Sequence, residues 1–506
     1  MDNMEPDSMN SNLYIFNSKE KGMRKSIRII GFLVVICITL MGVNRIFKLK
    51  YMDGIYSMEA FYKLPEDSVD VLVLGSSHAF ENINPAVMWE QKGVAAYDLC
   101  GSAQPIWNTY YYLKEALKYQ SPELIIMDAY GVTMSEDYAE DSKIVKNTYG
   151  MKWSVDKWNA LKTSIPPERW DDFFPEFKQY HTRYNSIQKS DFQTYYGVEN
   201  YNRYWKGFGN NFDTMSFEQP VMNHVSDKGR LTEKVELYYR KVLELAREKE
   251  IPMVVVVSPY TGITEEQYGK YLTAKEIADE YNIEFLNLGD EFETIGLDCT
   301  TDFADSDHMN YKGNYIYTTY LVENLLPMYG EFIDHRGDMK YDSWDKNDKY
   351  YCQTMINLEL KELRELDDYL TCLLDNGANY TVLVTLDGDF NCEAINIAEV
   401  LKQYYPFIDD SGTIWVIQGE KCIFSNGSNS EYRYMQKIGS RNLLLKGDAS
   451  SDGSDISGCS QYVQIDDTIY KSVVNGVNIL VYDNYTDTIV EAIGFNALSE
   501  YSVIGK

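Results

Sequence analysis

A serine, an aspartate and a histidine stand where a nucleophilic site could be built. Ser77 lies in the segment Gly75-Ser76-Ser77-His78, which directly follows an apolar run. A second polar segment, Asp305-Ser306-Asp307-His308, lies much later in the chain. A serine nucleophile needs a base to accept its proton and an acid to hold that base in the right tautomer. Ser77, His308 and Asp305 can supply these three functions, so the sequence predicts covalent acyl-transfer chemistry.

The apolar run before Ser77 is typical of a buried parallel strand, and ligands of open α/β sheets lie beyond the carboxyl ends of strands. Strand and helix patterns alternate through residues 51–335, which predicts a doubly wound parallel sheet in a three-layer α/β domain. The predicted strands are 69–74, 94–99, 123–127, 252–257 and 283–288. The predicted helices are 105–119, 231–248, 273–281 and a closing helix at 310–327.

Residues 131–225 interrupt this alternation with a long insertion rich in aromatic and charged residues. Long insertions between strands are usually lids or substrate-binding subdomains. His181 and Arg183 within it could bind a substrate hydroxyl or carboxylate, although a structural capping function explains them equally well.

The segment 26–47 is apolar and long enough, as a helix, to cross a bilayer. Residues 1–25 before it are predicted to be a flexible polar tail. Basic residues are more frequent before the segment than after it, which favours a cytoplasmic N-terminus and an extracellular domain. The alternative is a cleaved signal peptide, but no small-x-small cleavage site follows the apolar run. The sequence therefore predicts a single-pass anchor in the cell membrane.

Composition limits the possible partners. The 506 residues suggest more than one domain, and a net charge of −30 disfavours binding to nucleic acid or anionic lipid. The eight cysteines show no metal-ligand spacing, so neither a metal nor a cofactor is expected. The 43 tyrosines suit carbohydrate contact, and core packing would also explain them.

Residues 336–352 are charged and aromatic without a core pattern, and they are predicted to be a linker. Residues 353–506 then begin with leucines on one helical face and continue with strand and turn patterns. Segments 476–483 and 488–491 are predicted to form a β-hairpin, and 380–386 a further strand. The C-terminal part is therefore predicted to be a separate, strand-rich α+β module.

The chain resembles the SGNH (GDSL-like) hydrolases over about residues 60–335, in the membrane-anchored branch related to teichoic-acid D-alanylation and alginate-acetylation proteins. The matching segments are Gly75-Ser76-Ser77-His78, Cys100-Gly101-Ser102 and Asp305-Ser306-Asp307-His308. The resemblance implies Ser77 as nucleophile, His308 as base, Asp305 rather than Asp307 as its partner, and backbone N–H groups of Ser77 and Gly101 as the oxyanion hole.

The third conserved segment of that family departs from its pattern here. The family ends it in Gly-x-Asn-Asp, whose asparagine donates to the oxyanion, whereas this chain has Met127-Asp128-Ala129-Tyr130. Asp128 cannot donate when ionised, and Gln104 is a candidate substitute donor. His78 directly follows the nucleophile and is expected to line the pocket rather than act as the base.

The C-terminal module resembles the interleukin-like EMT-inducer (pancreatic-derived-factor) domain, a lectin-like fold, on the Gly476-Val477-Asn478-Ile479 hairpin and the 380–387 strand. This resemblance implies carbohydrate or surface binding, and a purely structural appendage is the alternative. The family branch implies an extracellular polysaccharide as partner, together with a membrane-bound O-acyltransferase.

Two functions from different classes remain open. One is a cell-surface serine esterase or O-acyltransferase that adds or removes acyl groups, acetyl above all, on an extracellular polysaccharide. The other is a non-catalytic, membrane-anchored glycan-binding protein with a degenerate SGNH domain, which the missing asparagine favours. A lipid esterase is a weaker third reading that depends only on the anchor.

Overall fold

The computed structural model describes residues 8–189, 191–192, 205–387, 397–406, 412–427, 432–447, 461–470 and 476–496. The chain divides into two compact units, Met1–Asp345 and Lys346–Lys506. The boundary lies within the stretch that was predicted to be a linker.

The first unit begins with helix α1, Ser8–Phe47, whose part Lys25–Phe47 is long and apolar enough to cross a membrane. The prediction of a flexible tail at residues 1–25 was wrong from residue 8 onward, because these residues are helical. Once the apolar segment forms a helix, extending it costs little per residue, and residues 8–25 contain good helix formers with a single glycine.

A five-stranded parallel sheet forms the centre of the first unit, in the order β2-β1-β3-β4-β5. Its strands are Val71–Gly75 (β1), Ala96–Cys100 (β2), Leu124–Asp128 (β3), Met253–Val257 (β4) and Glu284–Asn287 (β5). This is the flavodoxin-like order, in which the strand order reverses at β1: β2 lies on one side of β1, and β3, β4 and β5 follow on the other side. The predicted doubly wound parallel sheet is confirmed.

Side chains that alternate along the strands bury both faces of this sheet. Leu72 and Leu74 belong to one apolar cluster, whereas Val71 and Val73 belong to the other. The helices before the C-terminal boundary are Ser57–Phe61 (α2), Ser77–Phe80 (α3), Pro85–Lys92 (α4), Ile106–Ala116 (α5), Asp141–Lys146 (α6), Val155–Ser164 (α7), Trp170–Phe173 (α8), Glu233–Glu248 (α9), Glu265–Glu280 (α10), Phe292–Ile295 (α11) and Tyr311–Tyr320 (α12). Helices α5, α9 and α10 cover the first face, and α12 covers the second.

Two helix predictions needed correction. Helix α10 starts at Glu265, before the predicted residue 273, because Thr264 and Gln267 form a capping box there. The regular part of the closing helix ends at Tyr320, and tighter or wider turns continue to Tyr329.

The predicted linker 336–352 is largely helical. Helix α13 runs from Asp342 to Glu362, and the first-unit residues Tyr341 and Trp344 are buried in that unit's core. The buried apolar residues at the start of this helix are aromatic and stand among many charged residues. The sequence there shows no stripe of leucines that would have predicted a helix. The leucine-rich segment that follows is divided, because α14 starts anew at Leu366 and ends at Asp375.

The second unit has two antiparallel sheets, ordered β14-β13-β6-β7-β8 and β12-β11-β10-β9. Its strands are Tyr380–Asp387 (β6), Gly412–Gln418 (β7), Lys421–Gly427 (β8), Tyr432–Ile438 (β9), Arg441–Gly447 (β10), Gln461–Ile465 (β11), Thr468–Tyr470 (β12), Gly476–Asp483 (β13) and Thr488–Asn496 (β14), with a helix α15 at Ile397–Tyr404. Helix α14 packs on one face of the larger sheet, and the smaller sheet packs on the other. The predicted hairpin is present as β13–β14.

Candidate active site

The turn from β1 into α3 presents Ser77. Gly75 has a φ of +151°, and an added Cβ there would lie 2.9 Å from the Asp128 Cβ and 3.0 Å from the Ala79 Cβ. A side chain at this position would therefore strain the backbone and collide with β3. Ser76 caps α3 by accepting a hydrogen bond from the His78 N–H, which makes Ser77 the first helical residue.

The loop between α11 and α12 carries the acid and the base. The Asn310 side chain caps α12 by accepting from the Lys312 and Gly313 amides at 3.0 and 3.2 Å, and the backbone N–H of Asn310 donates to the Asp302 carbonyl. The Ser306 carbonyl accepts from the Gly262 N–H at 2.7 Å. These bonds hold the loop against the carboxyl end of β4.

Ser77, His308 and Asp305 form a continuous hydrogen-bonded chain. The Ser77 hydroxyl lies 2.8 Å from His308 Nε2, and His308 Nδ1 lies 2.9 and 3.0 Å from the two carboxylate oxygens of Asp305. With the Nδ1 proton donated to Asp305, Nε2 is free to accept the serine proton. The three residues therefore have the geometry needed to generate a serine nucleophile.

Asp305, not Asp307, orients the imidazole. One Asp305 oxygen also accepts from the backbone N–H groups of Asp307 and His308, at 2.8 and 2.9 Å. Partial burial opposes ionisation of Asp305, but the hydrogen bonds from His308 and the two amides outweigh it and lower the pKa of this carboxyl. Burial raises the pKa of Asp307, which has no hydrogen bond to the imidazole.

Two residues at the end of α3 take part in this arrangement, although the sequence analysis did not single them out. Buried Asn82 accepts a hydrogen bond from the Met309 N–H at 2.9 Å, which ties α3 to the loop of His308. A Glu81 oxygen lies 3.9 Å from His308 Nδ1, and burial raises the pKa of Glu81. The only available signal was their position four and five residues after the nucleophile.

The His78 side chain packs against the residues of the site. Its buried ring stacks on Tyr130 with 3.8 Å between ring centroids, and lies edge-on to the His308 ring at 5.5 Å. Burial and the nearby His308 lower the pKa of His78 well below its usual value, so the ring is neutral at physiological pH. The nucleophile is hydrogen-bonded to His308, as expected, and His78 packs against that base.

The surroundings of Gly101 explain why a glycine follows β2. An added Cβ would lie 2.2 Å from the Asn147 Oδ1 and 3.5 Å from the Gln104 Oε1. The Asn147 NH₂ group donates to the Ser102 and Lys143 carbonyls, while the Gln104 NH₂ group donates to Thr109 at 3.3 Å. Both amide oxygens thus face Gly101, so the arrangement does not present Gln104 as the substitute oxyanion donor.

Backbone N–H groups remain the predicted oxyanion donors. Ser77 is the first residue of α3, so its N–H has no acceptor within the helix. Together with the Gly101 N–H it is the predicted oxyanion hole. Asp128, which stands where the SGNH hydrolases that the sequence resembles have an asparagine, makes other contacts.

Asp128 joins the ends of β3 and β4. One of its oxygens accepts from the Tyr130 N–H at 2.9 Å, and the other accepts from the Ser258 hydroxyl and N–H at 2.8 and 3.2 Å. Burial raises the pKa of Asp128 to about 6 despite these hydrogen bonds. The carboxyl therefore has a structural role, because it connects the end of β3 to the end of β4.

Arg183 and His181 are placed away from the triad's hydrogen-bond network. Arg183 donates to the Phe47 and Lys48 carbonyls at the end of α1, and the exposed His181 ring is bonded to the Lys178 carbonyl at 2.7 Å. The sequence reading of these two as pocket residues gains no support from these contacts. The alternative prediction, a structural capping function, fits the contacts of Arg183 with the end of α1.

Among the described residues, no group of three or more His, Cys, Asp or Glu side chains could hold a metal ion.

Comparisons with known proteins give distant similarities only. No protein-family model and no curated protein sequence matches the chain. One similar solved structure is a protein described as lipolytic and of the G-D-S-L family, from Desulfitobacterium hafniense DCB-2. It has 12% identity and a TM-score of 0.24, with coverage of 50% of this chain and 97% of that one.

A second similar structure is a protein described as an acylhydrolase, from Bacteroides fragilis NCTC 9343. It has 10% identity and a TM-score of 0.29, and the match covers 56% of this chain and 100% of that one. At such similarity, the chemistry of the site has to be argued from its own geometry.

Proposed function

We propose that the chain is a membrane-anchored serine esterase or acyltransferase that works through an acyl-enzyme. The observation that carries this proposal is the unbroken hydrogen-bonded order Ser77 Oγ–His308 Nε2, His308 Nδ1–Asp305, built from residues at two distant places in the sequence. A structural role alone would not require a serine hydroxyl aligned on the ring nitrogen opposite a carboxylate.

The reaction follows from these positions. Ser77 Oγ attacks an ester carbonyl while its proton passes to His308 Nε2, and Asp305 stabilises the imidazolium that forms. Negative charge then develops on the carbonyl oxygen, where the Ser77 and Gly101 N–H groups are the proposed donors. Collapse of the intermediate expels the alcohol, which takes the proton from His308, and leaves the acyl group on Ser77.

The second half of the reaction uses the same base. His308 removes a proton from an incoming hydroxyl, which attacks the acyl-enzyme and releases Ser77. Water gives hydrolysis, whereas a sugar hydroxyl gives transfer. The difference depends on how well the site excludes water once the acyl-enzyme has formed.

The remaining parts of the proposal concern location and partners. Helix α1 supplies a single membrane anchor, with the N-terminus in the cytoplasm and the residues after α1 outside, as the charge bias suggests. The proposed substrate is an O-acylated extracellular polysaccharide, bound with help from the strand-rich second unit. A membrane-bound O-acyltransferase is proposed as the source of the acyl group.

A test of the chemistry uses the full chain in detergent micelles or nanodiscs. With 4-nitrophenyl acetate we expect turnover, and a mass adduct of one acetyl group on Ser77 when the reaction is quenched early. Ser77→Ala should lower kcat by about 10³-fold or more, as for other serine nucleophiles. Ser306→Ala, which removes a hydroxyl from the neighbouring loop, is the matched control and should keep turnover.

The non-catalytic alternative predicts a different set of results. Wild type would show no ester turnover and no adduct on Ser77, and polysaccharide binding would be unchanged in a Ser77→Ala, His308→Ala double variant. Turnover that persists fully in Ser77→Ala would remove this serine from the mechanism.

A further inference from the structure

The inserted segment after β3 holds the end of the membrane helix. The Tyr180 hydroxyl donates to the Asn44 side chain, and Arg183 donates to the Phe47 and Lys48 carbonyls at 2.7 and 2.8 Å. The last carbonyls of a helix have no partner within it, so Arg183 satisfies groups that would otherwise need water or lipid headgroups. The contact is therefore specific to the helix end.

Other contacts reinforce this attachment. Lys50 donates to the Ile46 carbonyl at 2.7 Å, and Asp191 pairs with both Lys50 and Arg183 at 2.6 and 3.0 Å. Partial burial opposes ionisation of Asp191, but hydrogen bonds from the Gln188 N–H and from these two cations outweigh it and lower the pKa of this carboxyl to about 2. The apolar residues at the end of the helix and just after it pack against the inserted segment: Phe47, Leu49 and Tyr51 contact a cluster that includes Tyr149 and Tyr180.

The position of this contact along α1 sets its depth. The apolar segment runs from Lys25 to Phe47, so its middle is near residue 36. At about 1.5 Å per residue, Asn44 lies about 12 Å and Phe47 about 16 Å from the middle, and half of the hydrocarbon core is about 15 Å thick. Tyr180 and Arg183, which bind Asn44 and Phe47, therefore lie where hydrocarbon meets headgroups.

Large apolar side chains are exposed around this contact. We define the interface patch as Trp153, Val155, Phe177 and Tyr184, which are 58, 76, 51 and 66% exposed. Phe177 and Tyr184 flank Tyr180 and Arg183 in the same short segment.

Lys157 connects the other part of the patch. Its ammonium group lies 4.8 Å from the centre of the Trp153 ring and pairs with Glu176, which precedes Phe177, at 2.6 Å. Lys157 and Glu176 therefore link Trp153 to the segment of Phe177, Val155 lies two residues from both Trp153 and Lys157, and Tyr184 follows Arg183, which binds the helix end.

We propose that the interface patch inserts into the headgroup region of the bilayer that α1 crosses. Tryptophan and tyrosine are enriched at this depth, because their rings have both apolar and polar parts. The occupant is a lipid surface rather than a second copy, since the patch continues from the membrane helix and two chains of net charge −30 repel each other. Neutral phospholipid suits that charge better than anionic lipid.

The inference rests on the proposed anchor and is independent of the chemistry at Ser77. It adds that the α/β unit is seated on the membrane at two places, the helix and the patch, instead of swinging on a tether. The chain passes from α1 to α2 within ten residues that are themselves bonded to the unit, so no flexible linker separates them.

The test places the photo-crosslinking amino acid p-benzoylphenylalanine at one position at a time in the full chain, reconstituted in phosphatidylcholine nanodiscs. The test positions are 177 and 184. Position 43, exposed on α1 within the apolar segment, reports whether the anchor is in the bilayer. Position 315 is a matched aromatic control. Tyr315 is 40% exposed and lies on α12, which covers the face of the sheet opposite to α5, α9 and α10.

We expect phospholipid adducts, measured by mass spectrometry after illumination, at positions 43, 177 and 184 and at least tenfold less adduct at 315. Adduct at 43 without adduct at 177 and 184 would overturn the inference while leaving the anchor intact. Crosslinks from 177 or 184 to a second copy of the chain would also overturn it. Ester turnover of each labelled chain is measured in parallel, so a failure of the proposed enzyme activity is recognised separately.

Discussion

The choice between two neighbouring aspartates can be tested at the level of single atoms. Asp305→Asn keeps an oxygen that can accept from the amides of Asp307 and His308, but its NH₂ group cannot accept the His308 Nδ1 proton. The imidazole then favours the wrong tautomer, so we expect kcat for an acetyl ester to fall about 10²- to 10⁴-fold. Asp307→Asn is the matched control and should lower kcat less than tenfold. Equal losses in the two variants would contradict the assignment of Asp305.

Asp128 gives a prediction about pH. Its pKa of about 6 exceeds the usual 3.8 of an aspartate, so between pH 4 and pH 6 the folded chain holds a proton that the unfolded chain has released. Rising pH in this window therefore lowers the contribution of Asp128 to stability. In wild type, Asp128 should lower the free energy of unfolding by about 2 kcal/mol as the pH rises from 4 to 7. The Asp128→Asn variant should lack this contribution.

The measurement is urea unfolding of the first unit, followed by tryptophan fluorescence at several pH values. Asp213→Asn, which changes an exposed carboxylate, serves as control and should keep the wild-type pH dependence. A pH dependence in Asp128→Asn identical to that of wild type would show that this carboxyl has no raised pKa in the folded chain.

The elements that hold the site were predictable where each carries its own pattern. All five strands of the parallel sheet lie within about two residues of the predicted segments, because buried parallel strands are continuous apolar runs with turn residues after them. The strand tip at Ser77 and the loop of His308 could be placed at one end of the sheet for the same reason. The part of helix α13 before residue 353 was missed because its buried aromatic residues stand among charges.

Contacts between distant segments were beyond sequence reasoning. Nothing local to Asn82 indicates that it binds the loop of His308, and nothing local to Asn147 indicates that its amide oxygen faces Gly101. The sequence left Arg183 open between a substrate ligand and a structural cap, because a cation in an aromatic insertion suits either function. Its partners are two carbonyls more than a hundred residues earlier and the carboxylate of Asp191.

The connection between α3 and the loop of His308 can be tested directly. Asn82→Ala leaves the buried Met309 N–H without its acceptor, a loss that commonly costs about 1–3 kcal/mol. Because Asn82 positions the loop and does not contact reacting atoms, we expect kcat to fall about 10- to 100-fold while KM changes little. Asn324→Ala removes an exposed asparagine that bonds a helix carbonyl and should leave both constants unchanged. A change confined to KM would argue that Asn82 contacts substrate instead.

At the scale of the whole molecule, the chain consists of two units with separate cores. The residues of the candidate site and the two apolar clusters around its sheet all belong to the first unit. The second unit has its own clusters on the two faces of its larger sheet. The proposed chemistry and the proposed polysaccharide binding can therefore be tested separately.

A chain that ends at Glu362, where α13 ends, should keep the chemistry. It retains Tyr341 and Trp344, which belong to the core of the first unit, and it removes all of the second unit's strands. We expect its kcat/KM for 4-nitrophenyl acetate to lie within about twofold of the full chain, because Ser77, His308 and Asp305 keep their supports, while its retention on immobilised polysaccharide falls. The Ser77→Ala form of the short chain is the control for background turnover. A tenfold loss of kcat/KM in a short chain that still unfolds cooperatively would mean that the second unit contributes to catalysis, whereas unchanged retention would place the polysaccharide contact on the first unit.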